Sequence, residues 1–301
     1  EWIEKQIYAR GVKGTVGTQA SFLKLFNGDH EKVKELDLRV SRALGFERPF
    51  PVTCQTYPRK LDTKIAEVLA GIGASAHWLG TNVRLLCGLK ELDEPFEKKQ
   101  VGSSAMAYKR NPMRSERMCS LARKLMNLPA DFHATHANQW LERTLDDSAI
   151  RRMDIPQAWL LTDAVLGLLM NICDGLVVNR AAVDNRLKQE LPFLATEEIL
   201  MASVEKGASR QVAHEAIRDH SVEVARRVKE EGLENDLLRR LAADDRIPLD
   251  AQELAAIALD PARFVGRAPQ QVEEYLARFV TPRLAGYSSL LAARRENRVR
   301  V

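Results

Sequence analysis

The sequence predicts an all-α protein, and three observations support this. Its 301 residues include only 16 glycines and 12 prolines, which cluster at a few positions and do not recur every ten residues, as the turns of a sandwich or barrel would. Apolar residues recur at helical spacing over long stretches. Residues 158–169 are almost wholly apolar, which is typical of a helix buried among others.

The first two long helices are predicted from amphipathic patterns at residues 29–44 and 59–92. The second pattern contains a stretch of small residues, Gly71–Ala76, which would let a neighbouring helix approach closely. Residues 91–107 are polar and contain Gly and Ser, so a loop is expected there.

Asn111 and Pro112 predict the start of a third helix, with Asn111 as the N-cap and Pro112 at the first helical position. This helix should end at about Leu128. The next long helical pattern covers residues 143–178 and is expected to break or kink near Pro156.

Shorter helices are expected after residue 178, with breaks at Pro192, Gly207, Gly232, Pro248 and Pro261. The change from long helices to shorter ones at residue 178 predicts two domains. Residues 1–178 would form a central bundle of long helices, N-terminally incomplete, with a functional loop at 98–112. Residues 179–301 would form a smaller helical C-terminal domain.

Composition limits the classes of partner. The 45 basic and 41 acidic residues leave a formal charge of +4, which suits an anionic ligand but does not predict nucleic acid binding. No run of about 18 apolar residues predicts a membrane span. The chain starts without a basic-then-apolar leader, so a cytoplasmic location is expected.

No metal site or cofactor is predicted. The four cysteines form no CxxC pair, and His133 and His136 have no third ligand near them in sequence. Surface or interface histidines are the favoured interpretation of that pair.

Residues 102–112, GSSAMAYKRNP, carry the most chemical information. Small residues make a flexible strip that contains two hydroxyls, Ser103 and Ser104, and leads into a helix N-terminus. Free backbone N–H groups there, beside Lys109 and Asn111, would bind a carboxylate or a developing oxyanion. A solvated linker before a capped helix is the alternative.

This segment resembles the signature loop of the fumarase/aspartase superfamily, GSSxMPxKxNP, and its continuation to Arg117 is similar to that of the adenylosuccinate lyases. Ala107 replaces the proline of most members, which predicts a more mobile loop but removes no reacting group. Further similar stretches are GTVGTQASF (14–22), QTYPRK (55–60), WLERTLDDS (140–148), LPFLATE (191–197) and GASRQ (207–211).

The resemblance implies a C–N lyase of purine biosynthesis that releases fumarate by β-elimination. Its substrates would be adenylosuccinate, which gives AMP, and the succinyl-aminoimidazole carboxamide ribotide SAICAR, which gives AICAR. Ser103 would be the base, acting as an alkoxide, and Ser104 a hydrogen-bond partner of the substrate, although the residues alone do not separate the two. Lys109 and Asn111 would bind the carboxylates.

The resemblance also implies that Gln55 binds substrate and that the phosphate is bound by Arg117, Arg143, Ser148 and Arg152. Ser148 and Arg152 are four residues apart and therefore share a helix face. Arginine suits phosphate because it can donate two parallel hydrogen bonds. By residue type alone, each arginine would be a solvated charge, with Glu142, Asp146 and Asp147 as salt-bridge partners.

Members of this family are homotetramers whose active sites are shared between subunits, so a homotetramer that binds a small purine nucleotide is expected. The family's general-acid histidine has no counterpart here, so an N-terminal part is expected to be missing and the 301 residues alone to be nearly inactive. Two alternatives stay open: another lyase of the superfamily, such as one of the argininosuccinate type, and a non-catalytic, crystallin-like scaffold of the same fold.

Overall fold

The structure is a computed structural model that describes residues 3–97, 106 and 108–292. Its α-helices are α1 (Ala20–Leu25), α2 (His30–Ala43), α3 (Lys60–Gly88), α4 (Met113–Asn127), α5 (Pro129–Ala137), α6 (Asp147–Asp174), α7 (Arg180–Leu194), α8 (Thr196–Glu205), α9 (Arg210–Glu231), α10 (Leu237–Ala242), α11 (Ala251–Ala258), α12 (Ala268–Tyr275), α13 (Thr281–Ala285) and α14 (Ser288–Ala292). Short 3₁₀ helices span Glu4–Gln6 and Pro261–Phe264, and a π-helical segment spans Leu276–Val280.

The predicted all-α fold is confirmed. Strands β1 (Leu92–Asp93) and β2 (Val177–Val178) pair antiparallel, with Leu92 opposite Val178. Neither strand follows from the sequence, because two residues are too few to show a period.

Helices α3, α4 and α6 form the centre of the first compact unit, which ends at Val178. Their shared core contains Ala76, Val83, Met118, Ala122, Val165, Leu168 and Ile172. A second cluster joins α5 to α3, α4 and α6 through Ala66, Leu69, Leu125, Leu128, Phe132 and Ala158.

Close packing of α3 on α4 depends on glycine at particular positions. A Cβ at Gly80 would lie 2.7 Å from Cys119 Sγ, and one at Gly73 would lie 3.1 Å from Leu125 Cδ2. Gly71 has open space around it. The predicted close approach is therefore confirmed at Gly73, and Gly80 adds a position outside the predicted stretch.

The break predicted at Pro192 is wrong, and of the break or kink predicted near Pro156 the break does not occur. Helix α6 continues through Pro156, and α7 continues through Pro192. A proline removes one backbone hydrogen bond from a helix, but the neighbouring turns are held by tertiary packing. Asp154 and Ala158 are buried on either side of Pro156, and Pro192 is itself buried.

Helix α6 is long and apolar enough to cross a membrane by length and composition alone. In the single chain, 28% of its most apolar window is buried. Core helices of globular proteins meet the same criterion.

The second compact unit begins at Asn179 and has its own core. That core contains Ala195, Ile199, Leu200, Ala213, Ala216, Ile217, Val224, Leu237, Leu241, Ile247, Leu249, Leu254 and Ala258. That the two units are the predicted bundle and C-terminal domains stays a prediction.

Candidate active site

The loop residues Ser103, Ser104 and Ala107 lie outside the described residues, so their predicted roles stay predictions. At the end of the loop, the Lys109 side chain is exposed and the Lys109 N–H donates to the Met106 carbonyl oxygen (3.0 Å). Asn111 is half-buried, two residues before α4.

The N-terminus of α4 differs from the prediction. The helix starts at Met113, so that Pro112 and not Asn111 occupies the N-cap position, which has no side-chain cap. Instead the Glu94 carboxylate accepts hydrogen bonds from the backbone N–H groups of Arg114 (2.8 Å) and Ser115 (3.0 Å) and from Ser115 Oγ (3.0 Å). A carboxylate at this position is also favoured by the helix dipole.

This cap changes what the helix end can bind. The Met113 N–H donates to the Asn111 carbonyl oxygen and the Glu116 N–H to that of Pro112. With Glu94 bound to the two N–H groups between them, the first turn has its hydrogen bonds made within the protein. The predicted anion site of free N–H groups is therefore wrong for this turn, and Lys109 remains as the candidate positive group.

We expect Glu94→Ala to lower the thermal unfolding midpoint of the protein clearly. Glu94 is only 5% exposed, so its removal leaves buried donors without acceptors at a cost of about 2 kcal/mol. The matched control is Asp29→Ala, because Asp29 Oδ1 also accepts two N–H bonds, from Glu31 and Lys32, at the exposed start of α2. A midpoint for Glu94→Ala no lower than that of Asp29→Ala would contradict this account.

A cavity of about 400 Å³ lies at the start of α6. Its lining residues are Arg143, Ser148, Arg151, Arg152, Ile155 and Pro156. The structure therefore brings together three of the four predicted phosphate ligands, and the spacing of Ser148 and Arg152 places both on the cavity side of α6.

Two of these ligands are already oriented. Arg152 Nη1 donates to both the carbonyl oxygen (3.2 Å) and the hydroxyl of Ser148. Arg143 Nη2 donates to Asp147 Oδ1 (3.0 Å), whereas its Nε is buried and has no partner among the described residues. The rest of the Arg143 side chain is partly exposed and lines the cavity.

Asp147 is fully buried and binds two arginines at once. Its second oxygen, Oδ2, accepts from Arg59 Nε (2.7 Å), and Arg59 Nη2 lies 2.7 Å from the same oxygen. Burial opposes ionisation of this carboxyl group, but hydrogen bonds from Arg143 and Arg59 hold its pKa below the usual value. Asp147 is therefore a carboxylate at neutral pH. It is a salt-bridge partner of the arginines, which was one of the two interpretations that the sequence left open.

Arg151, which was not among the predicted site residues, also lines the cavity. Arg151 Nε donates to Asp62 Oδ2 (2.7 Å) and Arg151 Nη2 to the hydroxyl of Tyr57. Tyr57 in turn donates to Asp62 Oδ1 (2.7 Å). Burial and this bond to Asp62 raise the pKa of Tyr57 to about 12, so it remains a neutral donor. The adjacent Arg151–Arg152 pair, three and four residues after Ser148, was the available signal.

Gln55 and Arg117 are both exposed, and neither lines this cavity. Gln55 lies in the irregular segment before α3, and Arg117 lies in α4. Within the part of the chain that the structure describes, Arg143, Ser148 and Arg152 therefore line one cavity, and Gln55 and Arg117 lie outside its lining.

No group of three metal-ligating side chains occurs in the described ranges. His133 Nε2 lies 3.1 Å from Glu67 Oε1, and both side chains are more than half exposed. This is a surface pair.

Comparison with solved structures identifies the fold. The 3-carboxy-cis,cis-muconate lactonizing enzyme of Pseudomonas putida matches 92% of this chain and 58% of its own, with a TM-score of 0.74 at 21% identity. A fumarate lyase from a Mesorhizobium species matches 92% of this chain and 59% of its own, with a TM-score of 0.71 at 19% identity. The protein has the all-α fold of these enzymes.

Sequence comparison identifies the family. Residues 192–275 match the family model described as adenylosuccinate lyase C-terminus. The adenylosuccinate lyases of Saccharomyces cerevisiae and Schizosaccharomyces pombe are 54% and 51% identical to it, over 97% and 94% of the chain. The chain spans 60% and 58% of their lengths. Over the region that it spans, the chain belongs to the adenylosuccinate lyase family.

Proposed function

We propose that the protein containing this chain is a C–N lyase that cleaves adenylosuccinate to AMP and fumarate, and SAICAR to AICAR and fumarate, in purine biosynthesis. The observation that carries the proposal is the arginine-lined cavity at the start of α6, in a chain whose relatives are adenylosuccinate lyases. Both substrates carry a phosphate monoester, so a lyase for them needs such a cavity.

The charge of the cavity and its supports suits this ligand. Four arginines and two aspartates leave a net charge of +2 in the set Arg59, Asp62, Arg143, Asp147, Arg151 and Arg152. A phosphate monoester carries about −1.5 to −2 at pH 7. The partly exposed guanidinium of Arg143, the Ser148 hydroxyl and Arg152 line the cavity and are donors suited to phosphate oxygens.

The chemistry proceeds at the succinyl end. Ser103, as an alkoxide, takes the proton next to a carboxylate, and the electron pair left on carbon then forms the C–C double bond of fumarate as the C–N bond breaks. The leaving nitrogen takes a proton from a general acid, which the family resemblance assigns to a histidine that has no counterpart in these 301 residues, and becomes the amino group of AMP or AICAR. Negative charge builds on that carboxylate before the bond breaks, so Lys109 and Asn111 lower the barrier by binding its oxygens. Ser104 donates a hydrogen bond to the substrate, and Gln55 and Arg117 complete the site.

The active protein is a homotetramer whose sites combine residues of several subunits. Exposed apolar side chains on the two longest helices support this: Val68, Trp78, Leu85 and Leu86 on α3, and Met153, Trp159, Leu160 and Leu166 on α6. Helices of this length with apolar residues on both faces are normally covered. Gln55 and Arg117 do not line the cavity of a single chain, and in this proposal residues of neighbouring subunits complete each site.

The reaction as written needs neither a metal nor an organic cofactor, and we place the enzyme in the cytoplasm with small purine nucleotides as its ligands. Neither nucleic acid nor a membrane is a partner in this proposal.

A product assay tests the proposed function. The whole protein is incubated with adenylosuccinate, SAICAR or argininosuccinate, and products are separated by chromatography. AMP with equimolar fumarate from the first substrate is the expected result. Arginine with fumarate from the third would favour the argininosuccinate-type alternative, and no turnover of any substrate would favour the crystallin-like scaffold.

A further inference from the structure

Two buried carboxylates connect the segment that carries Gln55 to the start of α6. Asp147, the first residue of α6, binds Arg59, which directly precedes α3. Asp62, in the first turn of α3, binds Arg151 in α6. Each pair joins residues nearly ninety positions apart in sequence, so the pairs fix where one segment lies against the other.

The Asp147 pair differs from the Asp62 pair in what it holds at the cavity. Arg59 is 5% exposed and its guanidinium also stacks 4.8 Å from the Tyr57 ring centroid, so it is a fixed anchor. On the other side, Asp147 Oδ1 holds Arg143, which is partly exposed and lines the cavity. One carboxylate therefore stands between a rigid arginine and a candidate phosphate ligand.

We propose that Asp147 is a positioning residue for phosphate recognition, which holds Arg143 at the cavity and ties it, through Arg59, to the segment that carries Gln55. The inference rests on the proposed function, because it takes the cavity as the phosphate site. Asp147 does not touch the substrate. It limits the conformations of Arg143 and so lowers the entropy lost when Arg143 binds an anion.

The test compares two inhibitors of the whole protein, AMP, which carries the phosphate, and fumarate, which does not. Asp147→Asn removes the negative charge. It also replaces one of the two accepting oxygens by an NH₂ group, which cannot accept a hydrogen bond from an arginine. We expect the inhibition constant for AMP and the KM for adenylosuccinate to rise at least about tenfold. The inhibition constant for fumarate and kcat should change less than about threefold, since the loop chemistry is untouched.

Asp37→Asn is the matched control. Asp37 is likewise buried in the first unit and pairs with the buried Lys13, but it does not line the cavity. It should lower stability without raising the constant for AMP, which separates positioning from a general loss of stability.

If Asp147→Asn does not fold, Arg59→Met combined with Asp147→Val replaces the buried pair by apolar side chains, a type of exchange that is often tolerated. Arg143 still loses its anchor in this variant, so weaker AMP inhibition is again expected. Unchanged inhibition by AMP in either folded variant would overturn the inference and leave the proposed function standing. A wild-type protein that AMP does not inhibit would overturn both.

Discussion

Ser103→Ala in the whole protein should reduce kcat for adenylosuccinate by about 10²- to 10⁴-fold. Ser103 supplies the base in the proposed elimination, and an alanine leaves the proton next to the carboxylate without an acceptor. The KM should change little, because the phosphate is bound at the arginine-lined cavity and not by the loop. Steady-state measurement of fumarate release gives both constants.

Ser104→Ala is the control that separates the two neighbouring hydroxyls. Loss of one hydrogen bond to the substrate should cost about tenfold at most, mainly through KM. If Ser104→Ala were the more damaged variant, the two roles would be exchanged. If both variants kept near-normal kcat, the serine strip would not supply the base.

The second large effect is expected from Leu160→Glu. Leu160 lies on α6 and is 70% exposed in a single chain, and the proposed tetramer covers this face. A glutamate there would place an unpaired charge in an apolar contact that is repeated in every subunit, at a cost of several kcal/mol each. We expect the tetramer to dissociate and activity to fall at least about a hundredfold, because no single chain would hold a complete site.

Light scattering after size-exclusion chromatography gives the mass of the assembly directly. Val222→Glu is the matched control, since Val222 is a comparably exposed aliphatic residue, at 66%, on α9 of the second unit. It should leave mass and activity unchanged. A Leu160→Glu protein that kept both the tetramer mass and full activity would show that this face of α6 is not covered by another subunit.

The candidate site shows which kind of information the sequence carries. Lys109, Asn111 and the two loop serines are predicted as site residues because they lie within nine residues of each other in a recognisable order. Ser148 and Arg152 were placed correctly because helical periodicity over four residues is a local property. Arg151 has the same local signal, and its omission was avoidable.

Glu94 and Asp147 are residues whose roles depend on contacts with distant parts of the chain. Glu94 caps α4 from 20 positions upstream, so the local signal of Asn111 and Pro112 gave a plausible cap that the fold does not use. The Asp147–Arg59 bond spans 88 positions, and neither residue type nor spacing identifies such a partner. A buried carboxylate accepts bonds from whichever donors the packing brings to it.

The sequence by itself determined the helical class, the approximate bounds of the long helices, and the residues that resemble a lyase loop, because periodicity and motif order are properties of neighbouring residues. Only the tertiary structure decided that α6 continues through Pro156, that Glu94 occupies the N-terminus of α4, and that Asp147 joins two arginines beside the cavity. These outcomes depend on the burial of polar groups, and burial is fixed by contacts between distant parts of the chain.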